Sequence, residues 1–355
     1  MSSSETTTDK TEPQRTKKTA VVIGATGYIG SAVTMALGDH GMSVRCTSRD
    51  ASGARWLKDL ASDVSVVELA LSDTAGEDTA KSLRSLLRGA DMAFFCAGFE
   101  EQSPSTIDFM VSNALALVDA SRAEGVPVVV LTSSGGSTNP PGGLPSSVPK
   151  SEVLHFSDPE EQVLRGRYSP AAKTRMEARA FAAVGRNHAN EVVDPVLAGD
   201  PATPRLVVIN PNLVLGPQLD PSPTVKGNSL PWMARILRKE AMADAVPNDS
   251  MSIIDVRDLA ELHVAAALDE AASGRYFGVN RSYAWREILG AFQRVLAERG
   301  GRGYSPPPLK EGEDYDSAIP TQFDHTRKNS LGVTLRPLEE TLGDLVDFLR
   351  AKGAI

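Results

Sequence analysis

Along the first two thirds of the chain, short apolar runs rich in β-branched residues alternate with longer stretches whose apolar positions recur every three or four residues. Continuous apolar runs mark buried strands, and the three-to-four repeat marks one face of a helix. Residues 21–23 (VVI) therefore predict a strand, followed by a helix to about residue 37. Residues 43–48 (SVRCTS) predict a second strand, 53–60 a helix, 64–69 (VSVVEL) a third strand and 79–88 a helix by its leucine spacing. A fourth strand at 91–97 (DMAFFCA), a long helix over 107–125 carrying Asn113 and a fifth strand at 126–133 (VPVVVLTS) continue the pattern. A helix over 169–184 and a sixth strand at 206–210 close it, with a polar, proline-broken insert between them. The runs VVIG, AFFCA and VVVL suit strands covered on both faces. Strands alternating with helices imply an α/β fold, a doubly wound parallel sheet with right-handed crossovers. Ligands of such sheets bind beyond the carboxyl ends of the strands, where the strand order reverses.

Beyond Pro211 the alternation fades, and Gly216, Pro217, Pro221 and Pro223 mark loops. A helix is expected over 232–239, and 255–268 (DVRDLAELHVAAAL) is strongly periodic, with Asp255 placed to favour its N-terminus. The expected organisation is a dinucleotide-binding domain over 19–210 and a smaller, mostly α-helical substrate lobe over 211–355, with 251–270 returning to the first domain. Residues 1–18 have almost no apolar groups and predict a disordered tail. The Pro/Gly/Ser-rich segment 135–149 is long for a structureless loop, and such loops tend to be functional. With the loops 218–230 and 300–316, it is expected to set substrate identity.

At 355 residues there is ample chain for a sizeable core. The balance of 37 basic against 45 acidic residues gives a net charge of −8, which argues against nucleic acid or an anionic membrane as a partner. No apolar run is long enough to span a bilayer. Cys46 and Cys96 fall in predicted strands and read as reduced and buried, so a reducing, cytoplasmic compartment is expected. The five histidines lack the spacing of a metal site, and His263 reads as packed in its helix.

Chemistry enters at 20–30 (AVVIGATGYIG), where a strand breaks into Gly24, Gly27 and Gly30 ahead of a helix. A pyrophosphate has to approach the backbone closely there, and a Cβ would block it. Bare N–H groups and the positive end of the helix dipole then hold the anion. At the end of the second strand, an NAD site usually carries an acid for the ribose hydroxyls. Here the strand ends in Arg49, whose guanidinium fork suits the 2′-phosphate of NADP. Asp50, next in sequence, is a counter-signal.

Three further pieces complete an ordered set: LTSSG at 131–135, Tyr168 and Lys173 in YSPAAKTRMEARAF, and NPNLVLGP at 210–217. Together with GATGYIG, CTSRD and DVRDLAELHV they resemble the extended short-chain dehydrogenase/reductase family, which is also described as NAD-dependent epimerase/dehydratase-like. Within it they resemble the branch of dihydroflavonol and cinnamoyl-CoA reductases. The resemblance spans about residues 19–349 and implies a Rossmann-type sheet. It also implies an NADP-dependent reduction of a ketone or aldehyde on a small or medium organic substrate, in a monomer or homodimer. Carried across, the catalytic group is Ser134, Tyr168 and Lys173. Tyrosine is the general acid, and lysine lowers its pKa while holding the nicotinamide ribose; serine binds the carbonyl oxygen. The turn from Gly24 through Thr26, Gly27, Tyr28 and Ile29 to Gly30 would cradle the pyrophosphate. Leu71 would pack on adenine, and Ala97, Gly98 and Pro211 would border the nicotinamide.

Two departures stand out. The family spacing is YxxxK, but Ser169 stands four residues before Lys173 and Tyr168 five, which in a regular helix turns the two apart by about 140°. With Pro170 at the first helical position and Ser169 as the cap, Tyr168 would lie just outside the helix and could absorb the shift. In the adenine loop, Ala70 replaces the family's acid. Two rival functions follow: a nucleotide-sugar epimerase or dehydratase that retains NAD, disfavoured by Arg49, and a non-catalytic NADP-binding sensor, favoured by the displaced tyrosine.

Overall fold

The computed structural model describes residues 17–355 except 73, 100–102, 243, 301–305, 309–310, 313 and 315–318. The expected disordered tail, residues 17 and 18 excepted, lies outside the described residues, as does part of the 300–316 loop. The chain begins β1 (Thr19–Ile23), α1 (Tyr28–Asp39), β2 (Ser43–Ser48), β3 (Val64–Glu68), α2 (Glu77–Leu87), β4 (Met92–Phe95) and α3 (Ser105–Glu124). It continues through β5 (Val128–Thr132), α4 (Pro159–Leu164), α5 (Tyr168–Ala183), α6 (Pro195–Gly199) and β6 (Arg205–Pro211). The six strands and most of the helices follow the hydrophobic pattern. The predicted helix at 53–60 is instead a short 3₁₀ turn, Arg55–Asp59, which has only Leu57 to bury.

The last third holds more strand than its sequence advertises. After β7 (Leu213–Leu215) and α7 (Ser229–Leu237) come β8 (Ser250–Asp255), α8 (Val256–Leu268), β9 (Gly274–Gly278) and β10 (Arg281–Ala284), then α9 (Trp285–Glu298), α10 (Thr326–Ser330) and α11 (Leu338–Ala351). Strand β9 joins the main sheet, whose order is β3-β2-β1-β4-β5-β6-β9, with every pairing parallel. A second sheet, β10-β8-β7, stands beside it. β9 and β10 are too short and too arginine-rich (GRYFG, RSYA) to show the continuous apolar run of a buried strand, yet all five residues of β9 are buried.

Two apolar layers sandwich the main sheet. Ala20, Val22, Phe94 and Val130 face one side with α1 and α8, and Val21, Phe95, Val129 and Leu131 face the other with α2, α3 and α5. This is the alternation of a strand buried on both faces. A third cluster, built from α7, α9 and α11, fills the second lobe. Helix ends follow local chemistry: Gly125 closes α3 at φ +69°, and the Asp255 side chain accepts from the Arg257 N–H to cap α8. β1 has β2 on one side and β4 on the other, so the strand order reverses there and the crevice above it opens for a ligand.

The turn after β1 is the tightest point of that crevice. Gly24 sits at φ +83°, and a Cβ on it would lie 2.6 Å from the backbone of Ala97 after β4. Gly41 has a similar φ of +75° but open space around it. Gly41→Ala should therefore cost only the left-handed backbone penalty, about 1–2 kcal/mol. Gly24→Ala should cost clearly more in urea denaturation, since two backbones must part; equal costs would show that Ala97 yields freely.

Candidate functional site

Two donors of the glycine turn, the Gly24 and Gly27 N–H groups, are already paired. The Gly27 N–H bonds Gly24 O at 3.1 Å, and α1 then starts at Tyr28 with no side-chain cap and no acid in its first turn. A Cβ on Gly30 would overlap the Gly24 carbonyl, so that glycine serves close packing of the turn. The Gly24 N–H is held by Thr47 Oγ1 at 3.2 Å, and Thr26 and Ile29 are half-buried on the turn. Tyr28 points away: its hydroxyl donates to Gly216 O at 3.0 Å and ties the turn to the second lobe. Burial, helped by the Asp255 charge, raises its pKa well above that of an ordinary phenol.

At the end of β2, Arg49 is exposed. The neighbouring acid is spent on its own turn: Asp50 Oδ1 accepts from the Ser52 N–H at 2.9 Å, the Ser52 hydroxyl at 2.6 Å and the Gly53 N–H at 3.1 Å. These donors, the Ser52 hydroxyl foremost, hold its carboxyl below the ordinary range. Leu71 is half-buried against the α3 side of the core, and the loop that carries it is pinned by Asn113, whose amide donates to Ser72 O at 2.7 Å. Ala97 is buried, Gly98 is open, and Pro211 is buried at the end of β6.

Lys173 and the Ser134 turn lie at the carboxyl end of β5. Lys173 Nζ donates to Thr132 O at 2.7 Å, and burial pushes its amine down to about 8. Ser134 caps a 3₁₀ turn, Gly135–Thr138, with its Oγ accepting from the Gly136 N–H at 3.0 Å. The first turn of α5 lies directly on that loop, since a Cβ on Gly136 would come within 2.9 Å of Pro170 Cβ. A Cβ on Gly135 would strike the Asn212 amide.

The expected helix start is corrected. α5 begins at Tyr168 itself, with Arg167 as N-cap and no side-chain cap bond; the Ala171 N–H already reaches Arg167 O at 3.1 Å. Ser169 is therefore a helical residue and caps nothing. The first turn of a helix has unpaired N–H groups at several positions, so Pro170 fits its third residue as well as its first. Tyr168 and Lys173 thus lie on one helix, about 140° apart around its axis, with the Tyr168 ring half-buried against the α3–α5 side of the core.

Sequence reasoning missed the polar network below this group. Glu177, one turn beyond Lys173, is buried and pairs with Arg275 of β9 at 2.9 Å. A signal existed: a glutamate among Ala172, Met176, Ala180 and Phe181, on the buried face of the helix. The partner could not be read, because β9 was not visible as a strand. Behind β5, His263 is packed as expected, with Nε2 2.8 Å from Thr132 Oγ1 and Nδ1 2.7 Å from Leu259 O; burial drives its pKa down to about 4. Cys46 is buried, whereas Cys96 lies just past β4 and is only partly buried, which corrects its placement inside a strand. A cleft of about 380 Å³ opens beside α3 and α5, lined by Ile107, Val111, Phe156, Ala178 and His188 and reaching Ser137 and Glu177. It does not include Ser134, Tyr168 or Lys173. Among the described residues, no group of His, Cys, Asp or Glu could hold a metal ion, and no helix is long and apolar enough to cross a membrane.

A model of the NmrA-like family matches residues 16–143. Cinnamoyl-CoA reductase 1 of Oryza sativa subsp. japonica is 27% identical over 338 residues, covering 95% of this chain and 92% of that protein. A bifunctional dihydroflavonol 4-reductase/flavanone 4-reductase of Pyrus communis is 26% identical over 347 residues, covering 94% and 91%. Among solved structures, the yeast methylglyoxal/isovaleraldehyde reductase Gre2 complexed with NADPH superposes with a TM-score of 0.71 at 18% identity, over 95% of this chain and 100% of that one. Sheet order, glycine turn and relatives agree: the chain has a Rossmann-type α/β fold and is similar along nearly its whole length to cinnamoyl-CoA and dihydroflavonol reductases.

Proposed function

We propose that the protein is an NADP(H)-dependent reductase of a ketone or aldehyde on a small or medium organic molecule. The observation that carries this reading is the convergence of Lys173, the first turn of α5 and the Ser134 turn at the carboxyl end of β5, beside the uncapped glycine turn. The reductase names of the relatives and the NADPH in the yeast structure support it. The nicotinamide, when bound, supplies the hydride.

The chain's own residues do the rest. Bare N–H groups after Gly24 and at the start of α1 receive the pyrophosphate. Arg49 offers a free fork for a 2′-phosphate, while Asp50, which could favour NAD, has its Oδ1 taken up by Ser52 and Gly53. Leu71 lies beside the adenine, and Ala97, Gly98 and Pro211 leave room for the nicotinamide. Ser134 Oγ hydrogen-bonds the substrate carbonyl oxygen, and Tyr168 gives it a proton. A phenol needs an adjacent cation to do this near neutrality, which is the part of Lys173. The substrate enters between the loops of the second lobe and the 135–149 segment.

One observation favours a second reading. Tyr168 and Lys173 share a regular helix five residues apart, an offset that would weaken proton transfer and suit an NADP-binding sensor without turnover. NADPH consumption over a panel of aldehydes and ketones separates the two.

Arg49→Ala should weaken NADPH binding roughly 10–100-fold, the worth of a charge-assisted contact, and leave NADH nearly unchanged. An equal loss for both cofactors would remove the 2′-phosphate role.

Tyr168→Phe should lower turnover by roughly 10²–10⁴-fold with NADPH affinity kept. Ser169→Ala, which removes no cap, should leave stability within about 0.5 kcal/mol and turnover intact. The reverse pattern would transfer the acid role to Ser169.

Because the proposed work of Lys173 requires its ammonium, and burial holds that amine near 8, turnover should be kept below that pH and fall as pH rises through it. A kcat that stays flat to pH 10 would separate Lys173 from the chemistry.

A further inference from the structure

The Glu177 carboxylate sits where three strands and the site helix meet. Its Oε1 accepts from the Ser133 hydroxyl and from Asn210 Nδ2 at 2.7 Å, and the Ser137 hydroxyl lies 2.5 Å away. Ser133 and Ser137 flank Ser134, one at the end of β5 and the other inside the 3₁₀ turn. Asn210, from β6, also donates to the Ser134 carbonyl at 3.0 Å, and Arg275, from β9, to the Ser137 carbonyl at 2.9 Å. Glu177 Oε2 faces Arg275 Nε at 2.9 Å. Both charged side chains are almost fully buried, at 3% and 1% exposure.

We propose that Glu177 is a positioning residue: its buried carboxylate locks the turn that carries Ser134 to the helix that carries Lys173. The proposal rests on the reductase reading for its consequence in turnover, but the lock itself is a property of the apoprotein. Ser134 makes no direct contact with Glu177. Its place is set by a backbone whose two neighbours and whose own carbonyl are held in one network centred on that carboxylate. Lys173 lies one helical turn from it, on nearly the same face. A shift of the turn against the helix would separate serine and lysine by the order of distance that costs catalysis heavily.

Charge adds a second effect. The groups facing Lys173 are Cys96 from the end of β4 and Glu177 on its own helix; burial lowers its pKa, and both neighbours oppose that fall. Facing Glu177 are Arg275 from β9, Lys173, and His188 from the loop after α5. Neutralising Glu177 removes a negative neighbour and leaves the Arg275 cation uncompensated. Both changes drive the Lys173 amine toward its neutral form.

The test uses the full chain without cofactor and compares wild type with Glu177→Gln and Ser137→Ala. Two readouts need no turnover: the pH dependence of Lys173 acetylation, mapped by mass spectrometry, and hydrogen exchange of residues 133–138. In Glu177→Gln the acetylation midpoint should move down by about one unit, and exchange in 133–138 should quicken while β1 and β2 stay protected. NADPH-dependent turnover should fall roughly 10–100-fold, with NADPH affinity changed far less. A purely structural role predicts lower stability with exchange raised everywhere, an unmoved midpoint and wild-type turnover in the folded fraction; that result overturns the proposal. If Glu177→Gln fails to fold, Ser137→Ala decides: quickened exchange confined to 133–138 supports the lock, and unchanged exchange overturns it. A wild type without turnover on any carbonyl would defeat the reductase reading, while acetylation and exchange would still judge the lock.

Discussion

A charge buried inside a protein has to be met by an opposite charge and by hydrogen bonds on every side, and in this chain that requirement organises the carboxyl edge of the sheet. Arg275 is the largest side chain in the fully buried set. Besides Glu177, it donates to the carbonyls of Glu152 and His155 at 3.1 Å and of Ser137 at 2.9 Å, and its guanidinium covers the Phe156 ring at 4.6 Å. One residue of β9 thereby fixes the long segment after β5 at three points. Removing one member of such a pair costs about 3–5 kcal/mol, because the other stays buried without its partner.

That segment is less free than its composition suggests. Lys150 bridges to Phe323 and donates to the Asn139 side chain, so a strand-like strap from residues 322–324 holds it down. Burial lowers the Lys150 amine to about 8 and raises the Glu152 carboxyl to about 7. What remains exposed is mainly 139–149, next to the Ser134 turn. The second lobe is joined to the first by polar contacts at the same edge. Tyr28 reaches Gly216, and Arg257 links Asp255 at the start of α8 to Asp344 of α11 at 2.8 Å. The glycine turn is thus tied through Tyr28 to the residues after β6 as well as to the main sheet.

Much of this was legible in the residues. The six strands, the helices between them and the parallel sheet follow from alternation of period and from continuous apolar runs, because a strand buried on both faces leaves that mark in any context. The glycine spacing identified the turn after β1, and packing gives the reason: Gly24 and Gly30 have backbone where a Cβ would go. Arg49 was singled out by its place at the end of β2, and Lys173 by the family resemblance.

The sequence by itself determined the class of fold, the succession of its first six strands along the chain and the glycine turn after the first, since each of these depends on local periodicity or on a short motif. Tertiary structure alone decided the rest. β9 became the edge strand of the main sheet through pairing with β6, although GRYFG carries no strand period of its own. The helix started at Tyr168 because the Arg167 carbonyl was in place to accept from Ala171, a choice that capping preferences at Ser169 could not foresee. Asp50 closed on Ser52 and Gly53, leaving Arg49 as the open charge of that turn. Glu177 met Arg275 across 98 residues of chain, and no local signal encodes a partner at that distance: burial of both made the pairing obligatory once the sheet had closed.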